Sequence, residues 1–169
     1  MLVPPDLTGL NTAPAADLEQ ALLDCCAAPR WAAALIAGRP YGSAGALYDA
    51  ADAAMSELED AEIDAALAGH PRIGARPDAR HSASSGREQS GVSGASAATL
   101  AALAEGNREY EARFGHVYLV CADGRSGEEL LAILRQRLHN DPVTESATVR
   151  TELSKINRIR LGRLIGVSE

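Results

Sequence analysis

Apolar side chains recur along most of this chain at the three-and-four spacing of a helix buried on one face. Leu18, Ala21, Leu22 and Cys25 follow that spacing and predict a helix from Asp17 to about Ala27, after an extended start. Pro29 is placed for the first turn of a second, short helix through Trp31, Leu35 and Ile36, which Gly38 and Pro40 stop. Ser43 predicts the N-cap of a third helix through Leu47 and Met55. A fourth is expected from about Glu59 to Ala68, with Gly69 as its left-handed C-cap.

From Gly69 to about Gly94 the pattern breaks. HPRIGARPDARHSASSGREQSGVSG is rich in Gly, Pro, Ser and Arg and poor in large apolar groups. Such a segment is either a linker or an ordered loop held by polar contacts and used for function. Helical periodicity resumes near Ser96 and runs through Leu100, Leu103 and Tyr110 to Phe114, where Gly115 stops it. The run from Val117 is the one β-like stretch, too isolated to predict a sheet. Ser126 followed three residues later by Glu129 is a capping-box pattern ahead of Leu130, Ile133, Leu134 and Leu138. A last helix is expected from about Thr144 to Leu164. Alanine and leucine dominate and aromatics are 4% of the chain, so the predicted class is all-α. With no internal repeat, residues 1–169 are expected to form a single helical domain of about seven to nine helices.

Charge narrows the partners. Sixteen Lys+Arg against 23 Asp+Glu give a formal charge of −7, without a long basic run, which argues against nucleic acid and anionic membranes. Apolar stretches such as Val117 to Ala122 are far shorter than the roughly 20 residues that span a bilayer. The three cysteines, two of them adjacent at Cys25 and Cys26, do not suggest a disulfide framework, and neither a secretory signal nor a peroxisomal tripeptide is recognisable. A reducing, cytoplasmic compartment is expected.

The candidate chemistry is acid–base chemistry. Histidines at 70, 81, 116 and 139 lack the spacing of a helical zinc site, no G-x-S-x-G elbow occurs, and Cys25 and Cys26 read as core residues. His70 stands directly after Gly69 and before Pro71, so its side chain leaves a helix end on a backbone that proline stiffens. That suits a general acid or base, and equally a capping histidine near the negative end of a helix. In the final helix, Val149, Leu153, Ile156, Arg160 and Leu164 form one stripe, in which Arg160 interrupts an apolar face. A guanidinium there must snorkel out or meet an acceptor. Glu88 is one candidate, and a bound anion or carbonyl-rich ligand is another.

These residues together resemble a known family. His70-Pro71-Arg72-Ile73-Gly74, the S-x-x-E-Q-x-G run of Ser85, Glu88, Gln89 and Gly91, Phe114-Gly115 before an apolar run, and Glu152 and Ile156 ahead of Arg160-Leu161 are similar to the 2-oxo-4-hydroxy-4-carboxy-5-ureidoimidazoline (OHCU) decarboxylases. The likeness extends from Leu10-Asn11 and Cys25-Cys26 through Trp31 and Arg39-Pro40 to the last helix. It favours the ordered-loop reading of residues 69 to 94.

The resemblance implies an all-helical, homodimeric, cofactor-free decarboxylase that forms (S)-allantoin from OHCU, after urate oxidation and hydrolysis of 5-hydroxyisourate. It gives the catalytic roles to His70 and Glu88, with Pro71, Ser85, Gln89, Arg160 and backbone groups near Leu119 and Val120 shaping or binding the substrate. No metal is implied. The usual F-G-F-P-F-like stretch of the family reads Phe114-Gly115-His116-Val117-Tyr118 here, a change in the apolar wall of the pocket rather than in the chemistry. The competing expectation is a small helical dimer that binds a ligand without turning it over. An intact set of His70, Glu88 and Arg160 weighs against it.

Overall fold

A computed structural model describes residues 4–75 and 83–167, with the side chains of 83–85 outside the description. Among the described residues the protein is all-α, with nine α-helices, one 3-10 turn and no strand. No described helix is long and apolar enough to cross a membrane. The chain divides into two compact units, one of residues 1–66 with 154–169 and one of residues 67–153.

In the first unit, α1 (Leu7–Thr12) departs from the extended start that periodicity predicts. Asp6 accepts the Gly9 N–H at 2.6 Å, and this cap starts a helix too short to show a period. Helices α2 (Ala15–Cys25), α3 (Pro29–Ala37) and α4 (Ala44–Ser56) follow, α2 packing on α3 and α3 on α4. Leu18, Leu22, Trp31, Leu35 and Leu47 are all buried. Trp31 satisfies its indole by donating to the Ala51 carbonyl at 3.1 Å. Pro29 opens α3 and Ser43 caps α4, accepting from Ala46 N–H at 3.1 Å, as expected. Arg39 donates to the carbonyls of Ala13 at 2.8 Å and Ile36 at 3.1 Å, filling acceptors at the ends of α1 and α3. Helix α5 (Asp60–Leu67) ends at the boundary between the units.

The second unit continues with α6 (Ala83–Glu88), the 3-10 turn Ser90–Val92, α7 (Ala97–Phe114) and α8 (Gly127–Arg137). Ser96 caps α7, and Gly115 stops it at φ 79°, a left-handed conformation that a side chain would strain. The capping box of Ser126 and Glu129 is formed in both directions. Helices α7 and α8 pack together, and Ile73, Val92, Leu103, Tyr110, Tyr118, Leu130 and Leu134 share their core. Gly69 is not left-handed; α5 closes through a right-handed turn in which His70 N–H meets the Leu67 carbonyl at 2.9 Å, and the left-handed glycine of this region is Gly74, at φ 79°.

Helix α9 (Pro142–Leu164) starts two residues earlier than periodicity predicts, and its first residues belong to the second unit and its last to the first. Pro142 needs no hydrogen bond at a helix start, and the Asp141 carboxylate accepts from Val143 N–H and Thr144 N–H, each at 3.0 Å.

Candidate active site

The turn that carries His70 is anchored in the core by Ile73 and held by polar contacts around it. Arg72 grips Glu111 of α7 with two parallel bonds, Nε to Oε1 at 2.6 Å and Nη2 to Oε2 at 2.7 Å, which holds the Glu111 carboxyl below its usual range. Asn107, also on α7, donates to the Ile73 carbonyl at 3.0 Å, and Gly74 N–H donates to Gln89 Oε1 at 3.1 Å. The backbone of 72–75 therefore has its own turn bond, a carboxamide from α7 and a carboxamide from the end of α6. His70 is half-buried here, with Nε2 shielded from solvent, and Pro71 beside it is half-buried too.

Glu88 ends α6 and is buried, at 6% exposure. A buried charged side chain needs partners, so Glu88 is held by the groups it meets rather than by local preference. Two residues after Gln89, Gly91 passes so close to the next loop that a Cβ would lie 2.1 Å from the Arg125 carbonyl oxygen. The E-Q-x-G run is thus seated at both ends, on Gly74 and on Arg125. Gln89 commits its carbonyl oxygen to the His70 turn, and the Ser85 side chain lies outside the described residues, as do residues 76–82 of the loop.

Leu119 and Val120 lie in a strap, residues 117–122, that has no regular secondary structure, and both are buried. Arg160 belongs to the first unit, where α9 buries it to 7% exposure and its Nη1 donates to the Cys25 carbonyl at 2.9 Å. One of the acceptors that its place on an apolar stripe demands is therefore a main-chain oxygen. In the same unit Cys26 is buried, which pushes its thiol up to about 11, with Asn157 and Arg160 opposing the shift. Such a thiol is not a nucleophile, in line with its reading as a core residue.

A second polar constellation lies in the unit of the His70 turn. Arg137, at the end of α8, pairs with the buried Glu145 of α9, its Nε donating at 2.8 Å. Tyr110 and Asn140 also donate to the Glu145 carboxylate, Asn140 at 2.9 Å. The Tyr110 hydroxyl is held far above its usual range by burial and by that carboxylate. Arg137 lies over the rings of Tyr118 and Tyr110, at 5.0 and 5.8 Å, and reaches the Leu119 carbonyl at 2.6 Å. A cavity of about 420 Å³ is bounded by Val120, Arg125, Arg137, Asn140, Thr148 and Glu152 among others. Of the residues singled out in the sequence as site residues, Val120 is the one on its wall.

The sequence reading missed Arg137 and Glu145, although a signal was present. Arg137 extends the buried stripe of Leu130 and Leu134, and Glu145 precedes Val149, Ile156 and Arg160 on the stripe of α9. Each is a charge on an apolar face, the same anomaly that marks Arg160. Among the described residues no cluster of three or more His, Cys, Asp or Glu stands ready to hold a metal ion.

Residues 11–162 match the family model for OHCU decarboxylase. The chain is 31% identical over 147 residues to the uric acid degradation bifunctional protein TTL of Arabidopsis thaliana, covering 83% of this chain and 45% of that protein, so it spans less than half of that relative. It is 30% identical over 142 residues to the 2-oxo-4-hydroxy-4-carboxy-5-ureidoimidazoline decarboxylase of Amia calva, covering 81% of each. A crystal structure of an OHCU decarboxylase in the presence of (S)-allantoin superposes with a TM-score of 0.72 at 28% identity, covering 85% of this chain and 96% of that one. A crystal structure of an (S)-allantoin synthase shares the fold, with a TM-score of 0.73 at 18% identity, covering 95% of this chain and 54% of that one.

Proposed function

The chain belongs to the OHCU decarboxylase family, and from that premise we propose that it converts OHCU to (S)-allantoin in urate degradation, with His70 and Glu88 as its acid–base pair. The observation that carries the assignment of residues is the construction of the His70 turn. Three side chains, Asn107, Glu111 and Gln89, are used to fix residues 72–74. Fixing a short turn so completely is what a positioned proton-transfer group requires.

The reaction breaks the bond between the carboxylate carbon and the hydroxyl-bearing ring carbon. The electron pair left behind moves into the adjacent ring C=N, a sink within the substrate itself, so the chemistry asks for no external one. The ring nitrogen that received the electron pair takes a proton, the 4-hydroxyl gives up its proton to become the ring carbonyl, and the neighbouring carbon takes a proton on one face. Carbon dioxide leaves and one proton is gained overall. His70 moves one of these protons, and Glu88 sets the charge of the histidine or binds ureido N–H groups. Pro71 holds the His70 backbone, Gln89 and Ser85 shape the site, and the backbone at Leu119 and Val120 meets the ureidoimidazoline. Arg160 grips a ring or ureido oxygen rather than the departing carboxylate, because stabilising a charge that disperses in the transition state would favour the ground state.

We also read residues 1–169 as one working domain, as a family match running through both compact units supports. The resemblance supports a homodimer, and the buried Cys25, Cys26 and Cys121, which are not joined in disulfides, fit the reducing interior of a cell.

Circular dichroism of the protein mixed with freshly generated OHCU tests the assignment. OHCU also decays spontaneously to racemic allantoin, so the expected result is faster loss together with the ellipticity of a single enantiomer. Loss at the buffer rate with no ellipticity would leave a ligand-binding protein.

A further inference from the structure

The strap that carries Leu119 and Val120 has no neighbouring strand among the described residues, so its backbone groups must find other partners. Two of them meet buried charges. The Leu119 carbonyl accepts from Arg137 Nη1 at 2.6 Å, and the Cys121 N–H donates to Glu152 Oε2 at 2.8 Å. These are the outer groups of the two peptides that flank Val120. Both peptides are trans, so in each the N–H and the C=O point in opposite directions. Arg137 thereby fixes the direction of the Val120 N–H, and Glu152 that of the Val120 C=O. Among the described residues neither Val120 group is hydrogen-bonded, although the residue is buried.

We propose that Glu152 and the Arg137–Glu145 pair are positioning residues of the decarboxylase, which clamp the peptides on either side of Val120 so that its N–H and C=O stand as a fixed donor–acceptor pair for an amide edge of the substrate. The proposal rests on the reading that this backbone meets OHCU. A ureido arm and a ring amide each offer an N–H beside a C=O, which is the complement of such a pair. Charged anchors suit this role, because their bonds are shorter and stronger than neutral ones, and Arg137 is itself fixed by Glu145, leaving the strap little freedom to rotate. The purpose is preorganisation, since a binding edge that must be ordered by the substrate weakens binding by the cost of ordering it.

Glu152 provides the test, because one variant keeps the acceptor and another removes it. Glu152→Gln leaves an oxygen for the Cys121 N–H and is expected to stay within about threefold of the wild type in KM for OHCU and Kd for (S)-allantoin. Glu152→Leu is expected to raise both by roughly tenfold or more while kcat falls less, a split that lowered stability alone does not produce. Amide hydrogen exchange on the wild-type protein is independent of how the variants fold: the Cys121 N–H is protected with or without allantoin, whereas the Val120 N–H gains protection on addition of allantoin. A folded Glu152→Leu protein with wild-type KM, or a Val120 amide indifferent to allantoin in a wild type that turns over OHCU, overturns the positioning role alone. A wild type that neither turns over OHCU nor binds allantoin overturns the functional reading and the positioning role with it.

Discussion

Helices α7 and α8 and the strap that joins them lie next to one another in sequence, yet different forces shape them. Each helix is specified by neighbours: Ser96 caps α7, Gly115 ends it, and Ser126 with Glu129 starts α8. The strap is specified from a distance. Tyr118 donates to the carbonyl of Leu130 at 3.0 Å, Arg137 holds the Leu119 carbonyl and Glu152 holds the Cys121 N–H. A run of β-like residues thus becomes neither strand nor helix, because individual buried side chains take the place of a partner strand. The comparison teaches that the helical scaffold tolerates the loss of single local contacts, whereas the strap depends on a few long-range ones.

The largest effect should follow from breaking the distant anchor. Arg137→Met removes one member of a buried ion pair, leaves the Glu145 carboxylate without its cation and frees the Leu119 carbonyl. A loss of about 3–5 kcal/mol in urea unfolding is expected. A loss under about 1 kcal/mol would erase the contrast between strap and helices.

Gly91→Ala comes next. The added Cβ would meet the Arg125 carbonyl oxygen at 2.1 Å, a main-chain atom that cannot swing aside, so the loop after the strap or the E-Q-x-G run must shift. We expect about 1–3 kcal/mol, together with reduced decarboxylase activity because Gln89 and the His70 turn move with the run. Unchanged stability and activity would show that this seating is unimportant.

The smallest effect sharpens the local side. Ser126→Ala deletes one half of the capping box of α8 and should cost about 1 kcal/mol in thermal or urea unfolding, with little change in KM. A marked rise in KM would mean that the cap also holds the strap.

The same contrast explains how much could be read from the sequence. Helices α2, α3, α4, α7 and α8 are legible because periodicity, Pro29, Ser43, Gly115 and the Ser126 box are local signals. Helix α1 and the early start of α9 are not: each rests on a single aspartate, Asp6 or Asp141, ahead of a start that a periodic pattern does not mark. The order of the His70 turn was implied by resemblance and not by pattern, since it depends on Asn107 and Glu111, more than 30 residues away. Of the candidate site, His70, Glu88 and Arg160 stand out as charges or rings at unusual places. Arg137, Glu145 and Glu152 offered the same anomaly, but their meaning lies in which main-chain groups they reach, which no spacing states.

The most direct test of the central claim is the rate at which His70→Asn forms optically active allantoin from fresh OHCU, set beside the wild type at equal protein concentration. The wild type should build the ellipticity of one enantiomer well ahead of spontaneous decay. The folded variant should fall by at least about 10²-fold, to the racemic background, because the asparagine cannot move the proton. Wild-type ellipticity from His70→Asn would contradict the account and remove His70 from the chemistry.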